Sequence, residues 1–203
     1  MPDKVAPIPL PEPRTDSDIS VEKTLTMRTS IREFKKTSLT LSQVGQLLWA
    51  AQGMNRPEGH RTTPSAGALY PLELLLMAGE VEDLDPGLYR YTPEEHHLIP
   101  LLKGDLRKDI ATASLDQAWV REGPAILILT AIYERTTGKY GQRGYRYVHM
   151  EVGAASQNLH LQAAAMGLGT VAVGAFHDDK VNALLHLPND EHPLLIMPIG
   201  KPH

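Results

Sequence analysis

The run from Tyr145 to Met166 is the longest helical pattern in the chain, and it limits the fold more than any other segment. Val148, Val152, Ala155, Leu159 and Ala163 recur at three- and four-residue spacing and form one apolar stripe, while Met150, Ala154, Leu161 and Ala165 form a second. A helix that is apolar on two sides has to be covered on two sides, which suits either the central helix of a layered domain or a helix at a dimer interface. Glu151, Gln157, Asn158 and Gln162 exclude a membrane span. The small residues Gly153, Ala154, Ala155 and Ser156 let another backbone approach closely.

Around this helix the other elements follow from local pattern. Ser20 caps a helix over Val21 to Met27, and Thr40 with Gln43 forms a capping box ahead of Leu41, Val44, Leu47, Leu48 and Ala51, with Gly53 as the stop. Leu72 to Met77 reads as a buried strand. Gly87 to Tyr91 and His97 to Leu101 form a hairpin around Thr92–Glu95, followed by a helix from Asp105 and a strand over Ala125 to Ile132. Val171 to Phe176 and Leu194 to Ile199 supply two more strands, with a short helix over Asp179 to Leu185 between them. The order predicts an α+β domain, a mixed or antiparallel sheet flanked by helices. Residues 1–18 hold five prolines and little periodicity and are expected to form an extended N-terminal arm. Residues 19–203 are expected to form one domain, a length that supports a single core.

Composition narrows the chemistry. The chain has no cysteine, which removes disulfides, thiolate nucleophiles, iron–sulfur clusters and cysteine-ligated zinc. Nine histidines invite a metal reading, but His96 and His97 face opposite ways on a strand and His149 and His160 lack an i, i+4 spacing, so no metal is expected. A formal charge of −4 without a basic stripe argues against nucleic acid, and the absence of a signal-like start or a long apolar run argues against a membrane. The cytoplasm is the expected compartment.

Three segments carry polar chemistry. In MRTSIREF, an extended backbone puts Arg28, Ser30 and Arg32 in one row, two guanidinium forks and a hydroxyl suited to an anion such as phosphate. The plain alternative is a solvated face with Glu33 as a partner. In RTTPSAGALYP, small residues between prolines let backbone N–H groups approach a polar ligand. In GLGTVAVGAF a helix stops and a strand begins, the reverse of the order a dinucleotide fingerprint needs.

In this order and at these spacings RTSIREF, RTTPSAGALYPLE, KYGQRGYRY, GAASQNLHLQAAAMGLGT and VAVGAF resemble the FMN-dependent nitroreductase superfamily, particularly its SagB-type, azoline dehydrogenase-like branch, over Leu10 to Lys201. The resemblance implies an α+β sandwich forming an intertwined homodimer with two interfacial FMN sites. It implies that Arg28 meets the phosphate with Thr29 and Ser30 beside it, and that Arg32 lies at the flavin pyrimidine, where a cation offsets the charge of reduction. Pro64, Ser65, Ala66 and Gly67 would contact the ribityl and ring from the partner subunit, Val173, Gly174 and Ala175 would line N5 and O4, and Gln117 would lie near the pyrimidine. Many relatives continue past the last strand and supply further cations to the phosphate. Here Lys201 and Arg61 are the candidates for that charge.

The resemblance also marks Lys139 and Tyr140, just before GQRGYRY, as the general acid/base that removes a proton from a thiazoline or oxazoline while hydride goes to FMN. The plain alternative is a lysine and a tyrosine on a mobile loop. The expected function is an FMN-dependent oxidoreductase that passes hydride between a donor, NAD(P)H or an organic substrate such as a peptide azoline, and an acceptor. The alternative is a flavin-binding, non-catalytic subunit of a modification complex.

Overall fold

Two adjacent strands with both faces apolar set the architecture. In β2 (Leu72–Ala78), Leu74, Leu76 and Ala78 point into one buried cluster while Leu75 and Met77 point into another. In β5 (Ala125–Ile132), Leu127 and Leu129 join the first and Ile126 and Ile128 the second. This period-two division requires a sheet covered on both sides. Burying each of these Leu or Ile side chains contributes roughly 1.5–3 kcal/mol.

The computed structural model describes residues 6–203. Its sheet has seven strands, all antiparallel: β1 (Ile8–Pro9), β2, β3 (Gly87–Thr92), β4 (His97–Lys103), β5, β6 (Gly169–Thr170) and β7 (Glu191–Gly200), in the spatial order β1-β4-β3-β2-β5-β7-β6. One face carries α2 (Leu41–Gln52) and α6 (Arg143–Ala165), with α1 (Val21–Met27) against α6. The other carries α3 (Arg107–Ala113), α4 (Ala118–Glu122) and α7 (Asp178–Leu185). The fold is therefore α+β, with an antiparallel sheet between helical layers. A further short helix, α5 (Glu134–Tyr140), joins β5 to α6.

Helix starts follow the sequence. Ser20 accepts from Lys23 N, and the box at Thr40 is complete, with Gln43 N donating to Thr40 Oγ1 at 3.1 Å and Thr40 N to Gln43 Oε1 at 3.0 Å. On α6 the stripe from Val148 to Ala163 is buried, whereas the second stripe is uncovered, Met150 at 61% exposure and Ala154, Leu161 and Ala165 in part.

Two expectations are corrected. The strand expected over Val171 to Phe176 is reduced to Gly169–Thr170 and a single bridge from Val173 to Ile196, because the chain turns away from β7 after Val173. Lys139 and Tyr140 lie at the end of α5, not on a loop. Of the arm, residues 1–5 lie outside the described residues. Ile8–Pro9 pairs with β4, Leu10 is buried, and Gln46 of α2 exchanges hydrogen bonds with the Arg14 backbone at 2.8 and 3.0 Å.

Candidate active site

The segment after α1 is built as an edge. The helix ends at Arg28 with φ −59° and ψ 121°, and the chain continues extended beside β6: Ser30 bridges Thr170, and Ile31 N donates to Thr170 O at 3.0 Å. Gly169 makes this approach possible, since a Cβ there would lie 2.5 Å from Ile31 Cγ1. Further on, Phe34 bridges Pro202, and Lys35 N donates to Lys201 O at 2.8 Å. The segment that carries Arg28, Ser30 and Arg32 is thus held against β6 and the residues that follow β7 by backbone bonds. Among the described residues neither arginine is in an ion pair.

Around this row stand several of the expected residues. A cavity of about 140 Å³ is lined by Arg28, Thr29, His160, Gly167 and Thr170. The Thr170 hydroxyl is buried there without a hydrogen-bond partner, and burial, then the charge of Arg28, holds His160 below the usual imidazole range. The Arg32 guanidinium lies 5.5 Å from the Trp119 ring centroid. Two residues earlier, Gln117 Nε2 donates to Ser114 O at 2.8 Å and Ala175 O at 2.9 Å. Val173 is spent on β7, bonding Ile196 in both directions, which leaves Gly174 and Ala175 exposed beyond it. A Cβ at Gly174 would meet nothing within 4 Å.

A second cluster forms around the 61–70 loop. Thr63 Oγ1 donates to Ala51 O at 2.6 Å, and Asn158 Nδ2 of α6 donates to Ala50 O at 3.0 Å and Thr63 Oγ1 at 3.1 Å, so the loop is tied to α2 and α6 at its base. Beyond exposed Pro64, Ala66 N donates to Glu151 Oε1 at 2.8 Å and Tyr70 N to Ser65 Oγ at 2.9 Å. Burial raises the Glu151 carboxyl above the ordinary range, opposed by the Ala66 N–H and the Ser65 hydroxyl. Gly67 has φ +66°, and a Cβ on it would stand 2.7 Å from Tyr140 Oη and 3.1 Å from Lys139 Nζ. Lys139 Nζ is 5.4 Å from the Tyr140 ring centroid, and that ring packs edge-on against Tyr147 at 5.1 Å. Lys139 Nζ and Tyr140 Oη therefore converge on the one position in the loop that has no side chain.

Arg61 lies apart from the Arg28 row. Its Nη2 bonds Glu94 Oε1 at 2.9 Å and its Nη1 Gln52 Oε1 at 3.2 Å, with the guanidinium over the Tyr70 ring at 4.6 Å. Its charge is already matched by a carboxylate. Lys201 remains exposed beside Lys35. Glu151 and Asn158, which in the sequence serve only to exclude a membrane span, are the side chains that fix the loop.

Both clusters hang on α6, at Glu151 and at His160. Nine residues of helix separate these two by about 13.5 Å and two and a half turns, which points them to opposite sides.

The Nitroreductase family model matches residues 25–201. The Methanocaldococcus jannaschii protein MJ1384, named as a candidate nitroreductase, is 44% identical over 184 residues, 91% of this chain and 92% of that protein. The Escherichia coli microcin B17-processing protein McbC is 29% identical over 158 residues, 75% of this chain but only 58% of McbC. Among solved structures, a candidate nitroreductase from Ralstonia eutropha JMP134 superposes with a TM-score of 0.86 at 30% identity, covering 100% of this chain and 92% of that one. Matched over nearly its whole length, the chain belongs to the nitroreductase family of FMN-dependent oxidoreductases.

Proposed function

We propose that the protein binds FMN between two copies of itself and dehydrogenates a peptide-derived azoline, with Lys139 and Tyr140 as the acid/base pair. The observation that carries this reading is the convergence of Lys139 Nζ and Tyr140 Oη on Gly67. The residues fit the cofactor. Arg28 and Arg32 are cations without carboxylate partners among the described residues, and Thr170 Oγ1 is a buried hydroxyl without a bond beside them. Arg28, Thr29 and Ser30 would hold the phosphate, with Lys201 as the further cation, and Arg32 and Gln117 the pyrimidine edge. Val173, Gly174 and Ala175 would present backbone to the ring. Pro64, Ser65, Ala66 and Gly67 would come from the second copy, since the half-turn offset along α6 keeps the two clusters of one chain apart. The uncovered stripe of α6 and exposed Val21, Leu25 and Met27 of α1 supply apolar surface for that copy.

Bound FMN supplies a two-electron carrier that takes hydride from one substrate and passes it to the next. Arg32, whose guanidinium lies 5.5 Å from the Trp119 ring centroid, would stabilise negative charge on the pyrimidine side. Tyr140 and Lys139 take the ring proton of the azoline, and the packing of Tyr140 on Tyr147 limits its rotation. The similarity to McbC, a microcin B17-processing protein by name, supports a substrate of that peptide-derived class. A second reading, NAD(P)H-driven reduction of nitro compounds or quinones, is favoured by the names of MJ1384 and the Ralstonia structure.

The test uses FMN-reconstituted protein and a synthetic peptide with one thiazoline. Oxidation to thiazole that is lost in Lys139→Ala and Tyr140→Phe, while reoxidation of the dithionite-reduced protein by menadione continues, is the expected result. Bleaching by NADPH with no thiazoline turnover favours the reductase reading. Failure to retain FMN overturns both.

A further inference from the structure

The segment that faces Lys139 and Tyr140 is strained at several positions. Besides Gly67, the non-glycine residues Ala68 and Tyr70 have φ of 54° and 46°. Such angles are uncommon for alanine and costly for an aromatic residue, and they persist only where surrounding contacts fix them. Two side chains from outside the segment bond its backbone. Glu151 of α6 accepts from Ala66 N at 2.8 Å. Arg135 of α5 donates from Nη1 to Tyr70 O at 3.0 Å, while its Nη2 lies 2.6 Å from Glu73 Oε1 on β2.

These two contacts bracket the strained stretch, one at each end. Arg135 also precedes Lys139 by one helical turn, so the bond that fixes Tyr70 fixes the helix bearing the acid/base pair. Glu73 is itself held by Arg90, at 2.9 Å, and Arg90 by buried Glu191, at 2.8 Å. The position of α5 is thereby referred to the centre of the sheet. Helix α5, with two threonines and a glycine in seven residues, has little intrinsic tendency to stay formed. On the other side, Tyr147 and Glu151 are one turn apart on α6, the first against the Tyr140 ring and the second on the loop.

We infer that Arg135 and Glu151 are the positioning residues of this site: together they hold the Ser65–Tyr70 loop and α5 at the spacing that brings Lys139 Nζ and Tyr140 Oη over Gly67. Neither touches the reacting atoms. The inference rests on the acid/base reading of Lys139 and Tyr140 for its catalytic consequence, but the clamp itself is measurable without turnover.

The experiment compares Arg135→Ala, Glu151→Ala and the conservative Arg135→Lys and Glu151→Gln in the FMN-reconstituted protein. Hydrogen exchange is followed in peptides covering residues 65–70, 134–140 and, as reference, β5. With both alanine variants the first segment exchanges at least tenfold faster, with Arg135→Ala the second does also, and β5 is unchanged. On the thiazoline peptide kcat, normalised to bound FMN, falls 10- to 100-fold with KM within threefold, and Glu151→Gln, which keeps an acceptor for Ala66 N, restores kcat to within threefold. Unchanged exchange in residues 65–70 overturns the inference, as does a thiazoline kcat per bound FMN that stays within threefold of the parent protein in both alanine variants. A wild-type protein that turns over no thiazoline peptide overturns the acid/base reading instead, and the exchange result still decides the clamp.

Discussion

Adding one methyl group at Gly67 tests the convergence of Lys139 and Tyr140 directly. At φ +66° an L-residue costs about 1–2 kcal/mol relative to glycine. The new Cβ would also stand 2.7 Å from Tyr140 Oη and 3.1 Å from Lys139 Nζ, where ordinary contact begins at 3.4 Å, so the hydroxyl must retreat by the difference, 3.4 − 2.7 = 0.7 Å. Both obstructing atoms end flexible side chains, and they can yield without disturbing the core. Stability in Gly67→Ala therefore falls only by the backbone cost, a Tm loss of roughly 2–8 °C at about 2–4 °C per kcal/mol. Catalysis is more sensitive, because a misplacement near 1 Å of an acting group costs about 10²-fold, or about 2.7 kcal/mol in barrier. Thermal melts by circular dichroism and thiazoline oxidation, each normalised to bound FMN, give the two numbers. Turnover within threefold of the parent protein would refute the proposed convergence, and a Tm loss above 15 °C would show that Gly67 bears on the core.

Arg90→Leu leaves Glu191, 1% exposed, without its bidentate partner, and urea unfolding should show a loss of about 3–5 kcal/mol, the usual cost of an orphaned buried charge. Thr40→Ala breaks the capping box of α2 and should cost about 1 kcal/mol by the same assay, leaving FMN affinity unchanged. His96 and His160 are both held below the normal imidazole range, chiefly by burial, so the folded state favours their neutral forms. Their contribution is full above the unfolded value near pH 6.5 and is lost as pH falls below it, so urea midpoints should drop from pH 8 to pH 5.5. Raised Glu151 acts in the opposite sense, and the histidine part is read from the smaller drop in a His96→Gln/His160→Gln protein. An unchanged drop in that protein contradicts the assignment.

What the sequence disclosed was whatever depends on near neighbours. The buried stripe of α6, the eight residues of β5 and the Thr40–Gln43 box all express a short period or a three-residue spacing, and each appears where the pattern puts it. Helix α5 did not disclose itself, since Glu134–Tyr140 has poor helix formers and depends on Arg135 meeting Glu73 and Tyr70, more than 60 residues earlier. Arg61 looked like a free cation because Glu94, its partner, is 33 residues away across a hairpin. The apolar run Val171–Phe176 has strand composition, yet only its first half finds a neighbour to bond. Within the site, the extended course of the chain after Arg28 was legible in the sequence, while the anchoring of the 61–70 loop by Glu151 and Asn158 depends on where that loop comes to rest.

The strands at the two ends of the sheet have consequences for how copies of the protein can meet. Among the described residues, β1 and β6 are two residues long, β1 contains Pro9, and the Ser30–Phe34 segment lies along β6 and the chain's last residues. The β6 margin is thereby covered by a further segment, whereas β1 reaches only His97 and Leu98 of β4, so residues 99–103 have no strand beyond them among the described residues and could accept one.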